Sequence, residues 1–258
     1  LVILSALALS VRGAARPSWK DVRALLALGL VGNGMYQLLF MLGMTTTRAG
    51  IAALIIAASP AWVAIIGRLM GRERVQARAW TGIGLQLVGV ACVVSSSHAL
   101  DGDKGAAMGT ILIILCSLLW SLYTVLLQPY TTRVHPIHLS TITLSSGALL
   151  MTLAAIPGLM RLDFGSIAPS AWAALSYSTI LAMIIAYLLY YRGIRLIGPT
   201  RTAVYSNLQP VIAILVAWAL LSEAPGVWQW IGTIFIMAGL LLSRSAPVKP
   251  ITDTHPIL

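Results

Sequence analysis

The sequence predicts an all-α integral membrane protein made of two related halves, and two observations support this fold class. Hydrophobic residues make up 59% of the chain and charged residues only 9%, whereas soluble domains are about 25% charged. With a mean hydropathy of +0.90, a water-soluble fold would lack the polar residues needed to cover its surface. The second observation is a set of landmarks that recurs at one fixed distance along the chain.

The landmarks are separated by 150 residues (193 − 43) with no gap. They are Gly43 and Gly193, Pro60 and Pro210, Glu73 and Glu223, Trp80 and Trp230, Gly82 and Gly232, and Gly89 and Gly239. Six uncommon pairs in one register are improbable by chance in a chain rich in leucine and alanine. The sequence therefore indicates an internal duplication.

Apolar segments long enough to cross a hydrocarbon core of about 30 Å as helices follow one another along the chain. They are predicted at about 24–43, 49–69, 79–97, 106–127, 139–156 and 171–191, and two more begin near residues 202 and 227. The opening run at 1–11 is too short to span. Proline interrupts two of these segments, at Ser59-Pro60 and at Asn207-Leu208-Gln209-Pro210.

The number of segments predicts the architecture. The second half holds five, and the first half holds three together with the end of another. At the 150-residue shift Leu1 corresponds to Met151, in the middle of a segment, so about one and a half helices are expected to precede it in a longer parent. We predict a ten-helix protein of two five-helix repeats, of which this chain holds eight complete transmembrane helices plus the end of one more. The predicted domains are 1–97, 106–244 and a disordered cytoplasmic tail at 245–258.

The lysines and arginines predict the orientation of the two repeats. An odd number of helices per repeat inverts the second copy relative to the first. Of the 17 basic residues, three (Arg48, Lys104 and Arg161) fall in loops on one side, and the other fourteen (17 − 3) fall on the opposite side. Basic loops face the cytoplasm, so we expect a cytoplasmic C-terminus. The net charge of +10 is then a topology signal rather than a nucleic-acid surface.

Two stretches carry a resemblance to a known family, SPAWVAIIGRLMGRERVQARAWTGIGLQLVGV and QPVIAILVAWALLSEAPGVWQWIGTIFIMAGL. In each, a proline-broken helix, a turn with a glutamate, a Trp-x-Gly opening and a later glycine follow in order. This pattern resembles the EamA domain of the drug/metabolite transporter superfamily, although Arg68 and Arg72 crowd the first turn. The resemblance implies a ten-helix carrier in a bacterial inner membrane, often an exporter of amino acids or other small organic solutes.

Polar residues at membrane depth are the candidates for a substrate site, because amides and hydroxyls in hydrocarbon need partners or a water-filled cavity. Asn33 and Gln37 are four residues apart and therefore share one helix face, and Tyr205 and Gln209 form a comparable face. The candidate substrate-binding residues are Asn33, Tyr36, Gln37, Trp120, Tyr123, Tyr177, Tyr187, Tyr205 and Gln209. The alternative for each of them is packing between helices.

The two interrupted helices predict a gate. Proline removes a backbone donor and frees a carbonyl one turn earlier, and carriers with inverted repeats bind substrates beside such interruptions near the midplane. The hinge or gate candidates are Ser59, Pro60, Asn207 and Pro210. The alternative is a packing kink inherited with the fold.

Acidic residues are absent from the middle of the predicted spans, because all seven fall in loops, at helix ends or in the tail. No carboxylate is then available as a proton relay, and we expect facilitated diffusion or exchange by alternating access. No catalytic residue, metal or cofactor is expected, since Ser59 and Ser146 have no intramembrane His or Asp to activate them. The expected partners are a small-molecule substrate and the lipid bilayer.

Three alternatives to metabolite export stay open from the sequence alone. A cavity of tyrosines and amides also suits a carrier of lipophilic drugs or of sugar-like solutes. A non-transporting membrane scaffold is the alternative from another class. A pore is disfavoured, because nothing in the sequence resembles a ring of filter carbonyls or charges.

Overall fold

The computed structural model describes residues 17–47, 49–73, 75–95, 107–161, 165, 167–221 and 226–244. Helices account for most of them. The helical segments are α1 (Trp19–Met44), α2 (Ala49–Ala57), α3 (Ser59–Leu69), α4 (Ala77–Ser95), α5 (Ala107–Arg133), α6 (Pro136–Leu159), α7 (Pro169–Ile197), α8 (Pro199–Ser206), α9 (Gln209–Leu221) and α10 (Val227–Arg244). Glu223 and the predicted tail lie outside the described residues.

Four of the described helices, α1, α5, α6 and α7, are long and apolar enough to cross a membrane. They have 24 to 29 residues, which is about 36 to 44 Å at 1.5 Å per residue and exceeds the roughly 30 Å of hydrocarbon. Two shorter apolar helical stretches are Ile55–Leu69, which includes the end of α2 and all of α3, and Val227–Ser243 in α10. The described part of the chain has the character of an all-α membrane protein.

Two apolar helices break at the positions that the prolines predict. α2 ends at Ala57 and α3 begins at Ser59. α8 ends at Ser206 and α9 begins at Gln209. In both cases proline is the second residue of the new helix, where a missing N–H costs no helical hydrogen bond.

The predicted segments at about 106–127 and 139–156 leave a long link between them, and this part of the prediction is wrong because most of the link is helical. α5 runs through Pro129 to its end, and α6 follows after a short link. Pro129 has no N–H for the carbonyl of Val125, four residues earlier. Nη1 of Arg72 donates to that carbonyl at 3.2 Å. The helix therefore continues through a proline while an arginine supplies the missing donor.

The segment predicted at about 139–156 ends close to its predicted bound, because α6 continues through Pro157 only as far as Leu159. Pro157 removes the hydrogen bond to the carbonyl of Leu153, one turn earlier. Leu153 is itself exposed, so this lost bond lies on an outer face of the last turns. A single proline this near a helix end does not stop the helix.

α1 and α7 each contain a π-helical turn, which the sequence analysis did not predict. These turns are Leu30–Met35 in α1 and Ser178–Ile185 in α7. The N–H of Tyr36 donates to Val31, and the N–H of Ala186 donates to Leu181. Adding 150 to the first pair gives the second pair (31 + 150 and 36 + 150). The same distortion therefore occurs at the same place in each half of the chain.

The chain divides into two compact units, one of which consists of Leu1–Leu38 and Leu126–Leu196. Within this first unit α1 packs against α6 through small residues, as close-packed membrane helices do. A Cβ on Gly147 would lie 2.6 Å from the Cβ of Asn33, and a Cβ on Gly34 would lie 3.3 Å from the Cα of Gly147. The glycines therefore allow the π-helical turn of α1 to contact the backbone of α6.

The second unit consists of Leu39–Val125 and Ile197–Leu258. In it α4 and α10 pack antiparallel, with Gly82 against Gly239 and Gly89 against Gly232. A Cβ on either α4 glycine would lie 2.6 Å from the carbonyl oxygen of its partner. The 150-residue shift exchanges the two contacts, because 232 is 82 + 150 and 239 is 89 + 150. The buried core beside these glycines includes Ile83, Val90, Ile236 and Leu240.

Candidate functional site

A cavity of about 220 Å³ lies within the first unit, between α1, α6 and α7. Its polar lining consists of Asn33, Gln37, Thr179 and Tyr187. Asn33, Gln37 and Tyr187 are substrate-binding candidates from the sequence, and the fold brings them together from helices that are distant in the chain. Their role in binding stays a prediction.

Asn33 reaches the cavity from the π-helical turn of α1. It is 8% exposed, and Gly147 on α6 provides the space for its side chain. Gln37 follows four residues later and is half-buried on the same lining. Two amides one turn apart offer both donors and acceptors to a solute.

Tyr187 is held in place by an aromatic and hydrogen-bonded chain. Its ring packs edge to face on Tyr191, with ring centroids 5.8 Å apart. The hydroxyl of Tyr191 is hydrogen-bonded to Oγ1 of Thr143 on α6 at 3.0 Å, in a buried position. α6 therefore restrains the ring that borders the cavity.

The remaining lining is apolar. It is formed by Leu144, Gly147, Ala148, Met151, Met183 and Ile184. Methionine is unbranched and adapts to ligands of different shape. None of the described lining residues is an acid or a base, so the cavity offers hydrogen bonds and apolar contacts but no ion-pair partner.

The cavity lies about half-way along two membrane-length helices. Asn33 is residue 15 of the 26 in α1 (33 − 18), and Met183 is residue 15 of the 29 in α7 (183 − 168). In a helix that crosses the bilayer, this position corresponds to the middle of the hydrocarbon region. Substrate sites of carriers with internal repeats are found at this depth.

The other substrate-binding candidates are not among the residues that line this cavity. Tyr36 is half-buried on α1. Trp120 and Tyr123 on α5 contact each other, with ring centroids 5.4 Å apart, and Tyr123 is fully buried. The exposed candidates are Tyr177, Tyr205 and Gln209. The described cavity thus brings together three of the nine predicted residues.

The gate candidates Ser59 and Pro60 are buried at the break between α2 and α3. The Ser59 hydroxyl donates to the carbonyl oxygen of Ile56 at 2.5 Å, an acceptor in the last turn of α2, where helical carbonyls have no intrahelical donor. The same hydroxyl is hydrogen-bonded to Oγ of Ser117 at 3.1 Å. At the other break, Pro210 is the second residue of α9.

The gate candidate Asn207 forms a buried hydrogen-bonded cluster. It is 4% exposed, and its Nδ2 donates to the carbonyl oxygen of Ala57 and to Oε1 of Gln86, each at 3.1 Å. Gln86 lies on α4 and is fully buried. Gln86 was not among the predicted site residues, although an amide inside an apolar segment is the signal that identified Asn33 and Gln37.

Glu73, in the arginine-rich link between α3 and α4, is buried and only 3% exposed. Its carboxylate accepts from the backbone N–H of Thr200 at 3.3 Å and from the Thr200 hydroxyl, at the N-terminus of α8, where an anion is favoured. A Cβ on Gly198 (φ +85°) would collide with this carboxylate. Burial raises the pKa of Glu73, whereas the hydrogen bonds from Thr200 and the charge of Arg201 lower it. Burial has the larger effect, so the pKa lies above its ordinary value.

Known proteins resemble this chain in family pattern, in sequence and in fold. The model of the EamA-like transporter family matches residues 1–95 and 107–245. The chain is 24% identical over 224 residues to "Uncharacterized transporter YyaM" of Bacillus subtilis, covering 86% of this chain and 73% of that protein. It is 27% identical over 251 residues to "Uncharacterized inner membrane transporter YedA" of Escherichia coli K12, covering 94% and 79%. A protein of known crystal structure matches with a TM-score of 0.77 at 20% identity, over 93% of this chain and 81% of that one, so the two share a fold.

Proposed function

The chain belongs to the EamA-like transporter family and is a membrane transporter, and from this premise we propose that it moves a small, partly apolar organic metabolite. The proposed substrate is an amino acid or a related solute, and the proposed direction is export. One observation carries the proposal: a cavity with amide, hydroxyl and apolar groups half-way along membrane-length helices.

The size of the cavity supports a metabolite over a lipophilic drug. Sites for drug-sized ligands occupy roughly 300–1,000 Å³, and this cavity has about 220 Å³. Its mixed lining also favours a solute with one polar and one apolar part over a sugar, which carries hydroxyls all around. A small amphipathic metabolite fits both properties.

We propose that transport proceeds by alternating access between two inverted repeats, 1–97 and 106–244, of a ten-helix architecture. The antiparallel contacts of Gly82 with Gly239 and of Gly89 with Gly232, which the 150-residue shift exchanges, support this arrangement. The equivalent π-helical turns in α1 and α7 support it as well. Neither helix distortion nor contact pairing is expected to recur at this spacing in an unrepeated chain.

The breaks at Ser59-Pro60 and at Asn207–Pro210 are the proposed gate. Asn207 supports this role because it hydrogen-bonds across the second unit to Ala57, the last residue before the first break. The described cavity lining holds no acid or base, which favours facilitated diffusion or exchange over proton coupling. In this mechanism the gradient of the solute drives net transport.

The proposed location is a bacterial inner membrane with the C-terminus in the cytoplasm. The name of the relative YedA places that protein in the inner membrane. The arginines and lysines, most of which the sequence predicts to lie on one side of the membrane, support the cytoplasmic orientation of the C-terminus.

Purified protein in liposomes loaded with labelled amino acids and related metabolites tests the transport proposal. Saturable efflux that differs among substrates is the expected result. Linear efflux of every solute would instead indicate a pore. No flux of any solute in a broad panel would refute transport and leave the scaffold as the explanation.

Variants of the cavity amides test whether this cavity is the route. Asn33→Ala and Gln37→Ala are each expected to lower the initial rate about two- to ten-fold, in line with the loss of one hydrogen bond to the solute. Gln76→Ala is the matched control, because Gln76 is an exposed amide outside the cavity. Normal flux in both cavity variants, at equal amounts of protein, would show that the substrate does not pass through this cavity.

A further inference from the structure

The cavity is lined by two pairs of residues that the 150-residue shift makes equivalent. Asn33 corresponds to Met183 (33 + 150) and Gln37 to Tyr187 (37 + 150), and all four line the cavity. Each half thus contributes the same two positions, spaced by four residues, at and just after its own π-helical turn. The chemistry differs, because the first half supplies two amides and the second supplies a thioether and a phenol ring.

The two amides favour a neutral head group that both donates and accepts hydrogen bonds. A side-chain amide has an acceptor oxygen and two N–H donors, so Asn33 and Gln37 complement a carboxamide or a hydroxyl. A carboxylate accepts only, and an ammonium donates only. A head group that both donates and accepts therefore matches the two kinds of polar group on an amide better than either ion does.

A charged head group also lacks a counter-ion in this cavity. The lining residues that the structure describes include no Asp, Glu, Lys, Arg or His. At mid-membrane depth a charge without an ion pair is far more costly than a neutral polar group. Zwitterionic amino acids carry two such charges, so the same cavity discriminates against them.

The apolar part of the lining suits a short aliphatic tail. Met151 and Met183 provide adaptable thioether chains, and Leu144 and Ile184 provide branched surfaces. The cavity of about 220 Å³ is smaller than the roughly 300 Å³ or more of drug-sized sites, which suits a short tail.

We infer that the cavity selects neutral amphipathic solutes, with a carboxamide or hydroxyl head bound by Asn33 and Gln37 and a short aliphatic tail packed on Met151 and Met183. Zwitterionic amino acids of the same carbon skeleton bind more weakly. This inference rests on the proposed function and, of the two kinds of substrate proposed there, favours the related neutral solute over the amino acid itself.

Binding to the purified full chain in lipid nanodiscs tests the inference directly. Three ligands share one carbon skeleton and differ in the head group: 4-methylpentanamide, leucine and 4-methylpentanoate. Isothermal titration is expected to give a Kd for the amide about ten-fold or more below that of either charged ligand. Binding is the better readout here, because a small neutral amide also crosses bilayers unaided.

Two kinds of variant separate recognition from folding. Asn33→Ala and Gln37→Ala should weaken binding of the amide while Gln76→Ala leaves it unchanged. Asn33→Asp places a carboxylate in the cavity and should increase the affinity for 3-methylbutylamine, a cation with a similar tail, about ten-fold over the original protein. A gain of binding does not arise from misfolding.

Tighter binding of leucine or of 4-methylpentanoate than of the amide would overturn the inference. No gain in affinity for 3-methylbutylamine in Asn33→Asp, or no binding of any of the three ligands to the original protein, would overturn it too. The flux panel judges the proposed function separately. Selective flux combined with the wrong binding order refutes only the substrate class, whereas no flux of any solute refutes transport itself.

Discussion

The side-chain amide of Asn207 donates to the carbonyl oxygen of Ala57 at 3.1 Å, and the two residues stand 150 positions apart (207 − 57). Ala57 is the last residue of α2, and Asn207 follows the last residue of α8. One hydrogen bond therefore links the two helix breaks at equivalent positions of the duplicated sequence. Oε1 of Gln86 accepts from the same amide nitrogen at 3.1 Å, which fixes the orientation of the amide.

Asn207→Asp is expected to destabilise the protein more than Asn207→Ala does. Alanine leaves two buried acceptors without their donor, which costs about 1–3 kcal/mol. An ionised aspartate adds a third acceptor that faces the other two and has no proton to share. Thermal unfolding in detergent measures both variants, and a larger loss for alanine than for aspartate would contradict the donor role of Asn207.

A double-mutant cycle with Gln86→Leu is the control for this cluster. Residues that share a buried hydrogen bond couple by about 0.5–3 kcal/mol. Gln86→Leu should therefore cost less in the Asn207→Ala background than in the original protein. Additive losses would mean that the two amides act independently.

Gly82→Ala is expected to lower stability, whereas Gly84→Ala in the same helix is not. A Cβ on Gly82 would lie 2.6 Å from the carbonyl oxygen of Gly239, but a Cβ on Gly84 would have nothing within 4 Å. Overpacking costs about 1–3 kcal/mol, while alanine in an open helix position gains up to about 1 kcal/mol over glycine. Unfolding temperatures of the two variants check this, and equal shifts would show that α4 and α10 are not in close contact.

The burial of Glu73 predicts a pH-dependent stability that Glu73→Gln lacks. Burial, the largest influence, raises the pKa of this carboxyl above its ordinary value of 4.5. The folded state then binds the proton more tightly than the unfolded state, so the stabilisation is present in acid and is lost as the pH rises through the raised pKa. The unfolding temperature of the original protein, compared with that of Glu73→Gln, should therefore fall as the pH increases above about 4.5.

The opposite trend, a relative gain with rising pH, would show that Thr200 and Arg201 outweigh burial at this carboxyl. Gly198→Ala provides an independent check of the same contact. A Cβ there is strained at φ +85° and collides with Glu73, so this variant should be destabilised at every pH.

Cysteine labelling tests the orientation. Gln76→Cys and Gly226→Cys place exposed thiols in the links before α4 and before α10. An impermeant maleimide added to intact cells is expected to label the cysteine at 226 and not the one at 76. The background carries alanine at Cys92 and Cys116, the two native free thiols. Labelling at 76 but not at 226 would reverse the orientation.

The polar residues of the cavity could be predicted in part from the sequence. Asn33 and Gln37 stand out because amides in an apolar helix require a polar environment, and their spacing places them on one face. Tyr187 is one of several tyrosines that the sequence alone offers equally as substrate-binding candidates. Only the packing of its ring on Tyr191, and of Tyr191 on Thr143, distinguishes it from the exposed Tyr177.

Other features depend on partners that are far away in the chain. The π-helical turns Leu30–Met35 and Ser178–Ile185 leave no trace in hydropathy, because they change the spacing of backbone hydrogen bonds and not the composition. From the sequence, Glu73 is an ordinary loop residue. Its burial becomes clear only from its contact with Thr200, which is 127 positions later in the chain. The end of α5 could not be predicted either, since Pro129 would ordinarily stop a helix.

The hydrogen bond from Arg72 to Val125 makes Arg72 and Pro129 an epistatic pair. Pro129→Ala restores the N–H that the carbonyl of Val125 lacks, so the guanidinium becomes redundant there. Loss of Arg72 should then be tolerated after Pro129 has been replaced and should be harmful before. Evolution can therefore replace these two residues in one order only. Pro129 must be replaced before Arg72.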